Sequence, residues 1–250
     1  MTKAILAKIF FRSLFIHTTL NFRRMQNLGF VMSVIPIVRQ WQKQQKDVEK
    51  ILLRHLQMFN THPYFSAPII GSIVRLETDY ADSGVLTDTV AVKQSLMGPY
   101  AAIGDIFFWG ALKPFAAVFA VFLAYAGLVI APLAFLLIYT PAHIWVRCKG
   151  FLESYRRGKQ GIEFIRIMDL PRSATKIRWC SILMLAVLLP WLLQIGFVPF
   201  VNTSIILITL MALGAILVCF WLMNKGMSQI YILYSAVLIF LIISWKELLN

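Results

Sequence analysis

Residues 96–109 read LMGPYAAIGDIFFW and place one acidic side chain, Asp105, in a run of apolar residues. A carboxylate among Ile, Phe and Trp is unfavourable in lipid, so such a position is by default a functional site. The alternative is structural, because a carboxylate also caps the start of a helix, here one over residues 106–112. One residue can do both, and the sequence leaves the two roles open.

Glycine and proline interrupt the same apolar stretch at Gly98, Pro99 and Gly104. Irregular backbone at membrane depth must line a cavity or be buried in protein. We therefore predict a re-entrant turn at Gly98 and Pro99, and we assign Gly104 to the same backbone turn.

The composition of the chain indicates a membrane protein. Of its 250 residues, 59% are hydrophobic and 14% are charged, whereas soluble domains typically carry about 25% charged residues. A helical span needs about 20 apolar residues. The fold class predicted is an all-α polytopic membrane protein, with several transmembrane helices plus re-entrant or broken segments. The candidate spans lie at residues 115–138, 179–200, 204–223 and 230–244.

The N-terminal region is amphipathic. Lys3, Lys8 and Arg12 are spaced through the apolar residues of 1–16, which indicates a helix lying on the cytoplasmic membrane surface and not a cleaved signal peptide. Apolar residues recur at a helical period over residues 48–60, so a helix is predicted there as well.

Basic residues predominate, with 24 Lys and Arg against 11 Asp and Glu and a net charge of +13. They cluster in residues 3–54 and 147–178, beside apolar stretches. Short basic loops remain in the cytoplasm, so both regions are predicted to be cytoplasmic, with a multi-pass topology and an extracytoplasmic C-terminus. This bias explains the charge more simply than nucleic-acid binding, which we do not expect.

We expect a single membrane domain over residues 1–250, with no metal and no cofactor, since the three separated cysteines have neither disulfide nor zinc spacing. Its predicted parts are amphipathic and cytoplasm-side helices at 1–65, a re-entrant region and first full span at 66–140, a basic cytoplasmic loop at 141–178, and C-terminal spans at 179–250.

Four stretches carry a resemblance to a known family. They are LNFRRMQNLG at 20–29, RHLQMFNTHP at 54–63, APIIG at 67–71 and LMGPYAAIGDIFFW at 96–109. In this order and spacing they resemble the IID membrane component of the mannose/fructose/sorbose-family phosphotransferase system. The fourth stretch is the most specific, because the family shows an MGP–A–IGD–FW pattern there.

The resemblance implies a subunit of a sugar permease in the bacterial plasma (inner) membrane. IID components pair with a IIC subunit of related fold, and the pair moves a hexose inward. Cytoplasmic IIA and IIB proteins phosphorylate the sugar during uptake. The IID chain itself carries no phosphorylated residue, and an oligomer of IIC–IID pairs in the lipid bilayer is expected.

Candidate residues for substrate binding and translocation are Asn21, Asn60, Thr61, His62 and Asp105. A sugar needs neutral donors and acceptors in a concave backbone, with a carboxylate or amide to hold hydroxyl groups. Residues 60–62 supply these groups at a helix end. The structural alternatives are that His62 caps a turn before proline and that Asn21 ties a partner helix.

Aromatic and histidine side chains also have two interpretations. The rings of Phe107, Phe108 and Trp109 are candidates for stacking on a sugar, although packing in a core or interface is the commoner role. The remaining histidines are scattered, and we expect them to be structural or surface residues. They are His17, His55 and His143.

Three features depart from the family pattern. Arg23 stands where the family usually has an acid, Ile106 stands where it has a proline, and only residues 201–203 separate two predicted spans. Arg23 and the short connection favour a second hypothesis, a non-transporting membrane scaffold or regulatory subunit. An enzyme with catalytic residues of its own is not expected, because no Ser-His-Asp pattern or phosphate-binding glycine loop is present.

Overall fold

The computed structural model describes residues 1–42, 48–83, 88–160 and 165–196, with short stretches between 214 and 238. These residues form helices, turns and two isolated β-bridges, which pair Asn21 with Met25 and Met25 with Phe59. The chain divides into two compact units, Met1–Leu185 and Ala186–Asn250. All side chains discussed below belong to the first unit.

The largest buried side chains include Phe30, Phe65, Phe108 and Phe151, and they come from three helical elements and from the turn just before residue 66. In chain order the elements are α1 (Lys3–Ser13), α2 (Asn27–Gln42), α3 (Val48–His55), α4 (Ser66–Ser83), α5 (Thr89–Gly104), a π-helical segment (Asp105–Leu112), α6 (Lys113–Tyr125), α7 (Ala131–Arg157), a 3₁₀ turn (Gly158–Gln160) and α8 (Leu170–Gly196). Helix α4 packs against α7, α1 against α2, and α6 against α7.

Two of the predicted N-terminal elements are present. The amphipathic stretch forms α1, with Ile9 buried and Phe11 exposed. The helix predicted at 48–60 is α3, which ends at His55. It is shorter than predicted because Phe59 leaves the helix, forms the β-bridge to Met25 and is fully buried.

Helix α5, the π-helical segment and α6 form one continuous helix, Thr89–Tyr125, of 37 residues. Its most apolar window has a mean hydropathy of 1.9, and it is the one helix among the described residues that is long and apolar enough to cross a membrane. At 1.5 Å per residue it extends about 55 Å, which exceeds the roughly 30 Å of a bilayer core.

The re-entrant turn predicted at Gly98 and Pro99 is wrong, because both residues lie inside α5. Gly104 is helical as well, with φ −64° and ψ −46°. Asp105 has φ −62° and ψ −45°, so it does not cap a helix that starts after it. Backbone at membrane depth must satisfy its polar groups internally, which favours a helix that continues through Gly and Pro. The irregularity is a π-helical stretch instead.

The span predicted at 115–138 is also wrong as a single helix. A turn at 126–130 separates α6 from α7, and Gly127 has φ +76°, a conformation that glycine adopts without strain. Much of the basic region at 141–178 is helical, because α7 continues to Arg157 and α8 begins at Leu170.

The later predicted elements are described only in part. Residues 179–196 of the span predicted at 179–200 lie in α8. The short connection at 201–203 lies outside the described residues, as does most of the spans predicted at 204–223 and 230–244.

Candidate functional site

An ordered turn between residues 21 and 27 forms one side of the candidate site. The Asn21 side chain holds it: Nδ2 donates to the Met25 carbonyl (3.1 Å) and to Asn27 Oδ1 (2.9 Å), and Oδ1 accepts from the Arg24 N–H (2.8 Å). Met25 has φ +56°, which non-glycine residues seldom adopt. The amide of Asn21 is therefore used within its own turn, which favours a structural role over sugar binding.

Gln26 joins this turn to the segment 60–62. Its Nε2 donates to the Thr61 carbonyl (2.7 Å), and its Oε1 accepts from the Thr61 N–H (3.2 Å). The same Nε2 lies 2.7 Å from Nε2 of His17, which accepts when the amide donates. Gln26 and Thr61 are both buried, so this amide pairing fixes the backbone at Thr61.

The segment 60–62 then runs along α5. Thr61 Oγ1 donates to the Met97 carbonyl (3.3 Å), and the Asn60 N–H points at Met97 Sδ (3.3 Å). Thr61 and His62 are buried, whereas Asn60 is exposed. Of these three candidate residues, Asn60 is the one that presents its side chain at the surface of the isolated chain.

Aromatic rings enclose His62. Its ring stacks on Phe108 at 5.4 Å with an interplanar angle of 19°, lies 4.6 Å from Trp109, and is 2% exposed. Nδ1 accepts a hydrogen bond from the Tyr64 N–H (3.3 Å). Nε2 is buried and has no hydrogen-bond partner among the described residues.

The protonation state of His62 follows from this environment. Burial lowers its pKa from 6.5 to about 4, and the nearby Arg147 and His17 act in the same direction. The imidazole is therefore neutral at physiological pH. Because Nδ1 accepts, the ring proton resides on Nε2. This buried N–H donor has no acceptor in the part of the chain that the structure describes.

Tyr64 extends the cluster to α7. Its ring stacks on His143 at 4.5 Å, and the Arg147 guanidinium lies 4.6 Å from its centroid. Its hydroxyl is 3.0 Å from that of Tyr139. Nδ1 of His143 and Nε of Arg147 are buried and unpartnered within the described part of the chain. The structure thus collects polar groups that the sequence leaves scattered.

The π-helical segment carries the exposed part of the site. Asp105 and Trp109 lie about one helical turn apart, and both are exposed, with Trp109 at 48%. Trp109 contacts His62, whose ring lies against Gly104, immediately before Asp105. Within the described ranges the Asp105 carboxylate forms no hydrogen bond and no ion pair. The π-helix is a rare form that is frequently found at functional sites.

Residues 1–249 match the family described as PTS system mannose/fructose/sorbose family IID component. The chain belongs to this family. The resemblance predicted from the four sequence stretches is thereby confirmed, and with it the assignment to the membrane.

Individual relatives agree with this IID assignment. The mannose-specific EIID component of Escherichia coli K12 is 33% identical over 161 residues, which cover 63% of this chain and 57% of that protein. The chain thus matches little more than half the length of that relative. The fructose permease IID component of Bacillus subtilis is 27% identical over 268 residues, covering 100% of this chain and 98% of the relative.

Solved structures show the same fold. The mannose transporter ManYZ, solved by cryo-electron microscopy in complex with microcin E492, aligns with a TM-score of 0.60 and 26% identity, covering 96% of this chain and 95% of that one. A second structure, described only as a membrane protein, aligns with a TM-score of 0.74 and 25% identity at the same coverage. The all-helical architecture of the described residues and its membrane character are confirmed.

In this IID component an arginine from α8 satisfies carbonyls of the π-helical segment. Arg178 Nε donates to the Gly110 carbonyl (3.1 Å), and a second guanidinium nitrogen donates to the Ile106 carbonyl (3.4 Å). Pro114, four residues after Gly110, has no N–H to offer that carbonyl. Arg178 therefore replaces a helix hydrogen bond and supports the backbone that carries Asp105.

A second polar cluster ties α3 and α4 to the start of α5. The Glu77 carboxylate accepts hydrogen bonds from Thr89 Oγ1 (2.7 Å), His55 Nε2 (2.9 Å) and a guanidinium nitrogen of Arg54 (3.1 Å). Burial raises the pKa of Glu77, but the His55, Thr89 and Arg54 contacts outweigh it and lower the pKa overall. Burial lowers the pKa of His55 despite Glu77, so a neutral imidazole donates to a carboxylate.

The sequence did not identify several of these groups. His55 and His143 were expected to be structural or surface residues, and His55 is indeed structural, fully buried against Glu77. Arg147 was counted only as one of the basic residues at 147–178, and Tyr64 was not singled out. The only indication in the sequence was the residue type. Buried histidine, tyrosine and arginine side chains need hydrogen-bond partners, but which residues they contact depends on tertiary packing.

Proposed function

We propose that this IID component is the membrane subunit of a mannose-family phosphotransferase sugar permease. It pairs with a IIC subunit and helps to move a hexose across the bacterial plasma membrane, while cytoplasmic IIA and IIB proteins phosphorylate the sugar. An oligomer of IIC–IID pairs and a multi-pass topology belong to the same proposal. Support comes from the family membership and from the likeness to a structure described as a mannose transporter.

The observation that carries the proposal is an exposed carboxylate on an apolar helix of membrane length. Asp105 lies within Thr89–Tyr125 and is exposed in the isolated chain. An acidic side chain inside a membrane typically faces a protein interior or a water-filled cavity instead of acyl chains. A second subunit that covers this face removes the carboxylate from lipid and leaves it facing a path between the two subunits.

The sugar-contacting groups in this proposal are the exposed ones. The Asp105 carboxylate and the Asn60 amide accept and donate hydrogen bonds with hydroxyl groups, and the Trp109 ring offers an apolar face to a pyranose. The buried Thr61 and His62 position these exposed groups through their contacts with Met97 and Trp109. This assigns direct contact to the exposed candidates and positioning to the buried ones.

Uptake measurements test the proposal. The chain is co-expressed with its cognate IIC, IIA and IIB proteins, and uptake of labelled mannose, fructose and sorbose is measured together with recovery of IIC. We expect uptake of one of these sugars, and a loss of at least about tenfold in Asp105→Asn, the magnitude of one charge-assisted hydrogen bond. Asp79→Asn, an exposed carboxylate on α4, is the matched control.

Three outcomes distinguish the possibilities. Loss of uptake with IIC still bound supports a role of Asp105 in translocation. Loss of IIC from the purified complex shows instead that Asp105 is an interface residue, and the assignment to sugar contact fails. No uptake by an intact wild-type pair with its phosphodonors refutes the transport proposal and leaves a membrane scaffold.

A further inference from the structure

A basic cavity lies between α1 and α2, away from the candidate site. Its volume is about 660 Å³. Three cations face it, Lys8 and Arg12 from α1 and Arg39 from α2, while Phe11 and Pro36 form apolar walls. Lys8 and Arg12 are four residues apart and therefore share one face of α1.

The sequence around the cavity contains no neutralising acid. Residues 1–46 contain no Asp or Glu. Their basic residues number eight: Lys3, Lys8, Arg12, Arg23, Arg24, Arg39, Lys43 and Lys46. None of the ion pairs found among the described residues involves Lys8, Arg12 or Arg39. No carboxylate of the described residues pairs with these three cations, so the cavity is complementary to an added anion.

The backbone of α2 holds one of the three cations in place. Pro36 lies inside α2 and has no N–H to donate to the carbonyl of Met32, four residues earlier. The Arg12 guanidinium donates to that carbonyl instead, at 3.1 Å. One of its five N–H donors is used in this contact, so the group is fixed in position and keeps donors for an oxygen anion.

Exposed aromatic side chains accompany the charges. Phe11 and Phe15 of the α1 region are 62% and 63% exposed. Large apolar residues beside Lys and Arg are typical of a helix that lies in the membrane interface, where its apolar groups enter the acyl boundary and its cations meet lipid phosphates. An acidic protein surface would neutralise the three cations but would leave the Phe11 and Phe15 rings exposed to water.

We propose that the cavity between α1 and α2 binds the headgroup phosphate of an anionic phospholipid. Arg12 is the fixed donor, and Lys8 and Arg39 supply the additional positive charge. The acyl chains lie along Phe11 and Phe15. This site is independent of sugar movement, and it anchors the N-terminal helix at the membrane surface.

Thermal unfolding of the full-length chain in neutral detergent tests the site. The midpoint is followed by tryptophan fluorescence while phosphatidylglycerol, phosphatidylcholine or inorganic phosphate is added. We expect phosphatidylglycerol to raise the midpoint and the other two additions to have little effect. In the double variant Lys8→Gln/Arg39→Gln the phosphatidylglycerol shift should fall to less than half. Arg12 is left unchanged because it also supports α2.

The matched control is Arg23→Gln/Lys176→Gln, which removes two exposed charges outside the cavity and should keep the full shift. The midpoint of each variant without lipid shows that it is folded. An equal loss of the shift in both double variants would show nonspecific charge attraction and overturn the proposal. An equal effect of inorganic phosphate would reassign the site to a free anion. If Lys8→Gln/Arg39→Gln abolishes binding of an acidic IIB protein but leaves the lipid shift intact, the face is a protein-docking surface.

Discussion

The imidazole of His62 packs directly on the backbone of Gly104, at a point where a Cβ atom would overlap the ring. The two residues are 42 positions apart in the sequence. The contact places His62 against the helix one residue before Asp105. The absence of a side chain at Gly104 therefore determines how the segment 60–62 lies beside the π-helical segment.

Substitution of Gly104 by alanine should therefore destabilise the protein, although alanine is the better helix former. Overpacking of this kind costs about 1–3 kcal/mol, and we expect a lower thermal midpoint in detergent. Gly98→Ala is the matched control, since no atom lies within 4 Å of a Cβ at Gly98. It should be neutral or stabilising by up to about 1 kcal/mol. Equal midpoints for the two variants would show that the His62 contact does not constrain the fold.

Removal of the Glu77 carboxylate should have a larger effect. Glu77→Leu leaves the buried hydroxyl of Thr89, the ring of His55 and the Arg54 guanidinium without their acceptor. A buried donor left without its acceptor costs about 1–3 kcal/mol. Two such donors, on Thr89 and His55, lose theirs, which we expect to measure as a fall in the unfolding midpoint.

Asp79→Leu is the control for this change, because Asp79 lies on the same helix and pairs with Arg75 at the surface. An exposed ion pair contributes about 0–1 kcal/mol. The interpretation of Glu77 as a structural tie between α3, α4 and α5 fails if Asp79→Leu lowers the midpoint as much as Glu77→Leu does.

The pKa of His62 predicts a pH dependence of stability. In the folded protein the pKa is about 4, against an ordinary value of 6.5. Between these values the unfolded chain binds a proton at this residue and the folded chain does not, so the free energy of unfolding falls as the pH falls from about 6.5 to about 4. Above pH 6.5 His62 contributes no pH dependence.

Midpoints measured between pH 7.5 and 4.5 test this dependence. In His62→Asn the Oδ1 atom can still accept from the Tyr64 N–H, and no ionisable ring remains. The decline with acid should therefore be shallower than in the wild type. The remainder is due to His55, His17 and His143, whose pKa values burial also lowers. An unchanged slope in His62→Asn would mean that His62 does not titrate as its burial requires.

The residues at 96–109, together with the stretches at 20–29, 54–63 and 67–71, predicted the family and an apolar region at membrane depth. They were misleading about the backbone. Gly98 and Pro99 interrupt helices in water, and they suggested a turn, but a membrane-depth backbone that lacks water favours continuous helical hydrogen bonding. Gly104 was predicted to serve a backbone turn. Its lack of a side chain instead makes room for the His62 ring beside a continuous helix.

The polar clusters could not be predicted from local sequence patterns. His17, His62 and His143 are separated by 45 and 81 residues, and only tertiary packing brings them around Tyr64 and Arg147. Glu77 lies in a polar stretch whose sequence is typical of a solvated helix end. Its three hydrogen-bond donors come from two other helices, α3 and α5. By contrast, Thr61 was chosen from its type alone, and its hydroxyl does form a hydrogen bond, to the Met97 carbonyl. The helix end predicted at residues 60–62 is wrong, because α3 ends at His55 and these residues lie in the connection to α4.

Photo-crosslinking at Ile106, the exposed neighbour of Asp105, examines whether a partner subunit covers this face. A benzoyl-phenylalanine at position 106 is irradiated in membranes that contain the cognate IIC subunit, with membranes lacking IIC as the control. We expect a IID–IIC adduct that is absent from the control. Adducts with lipid alone, in membranes where IIC is present and uptake is normal, would place Asp105 against acyl chains and contradict the assignment of this face to the subunit interface.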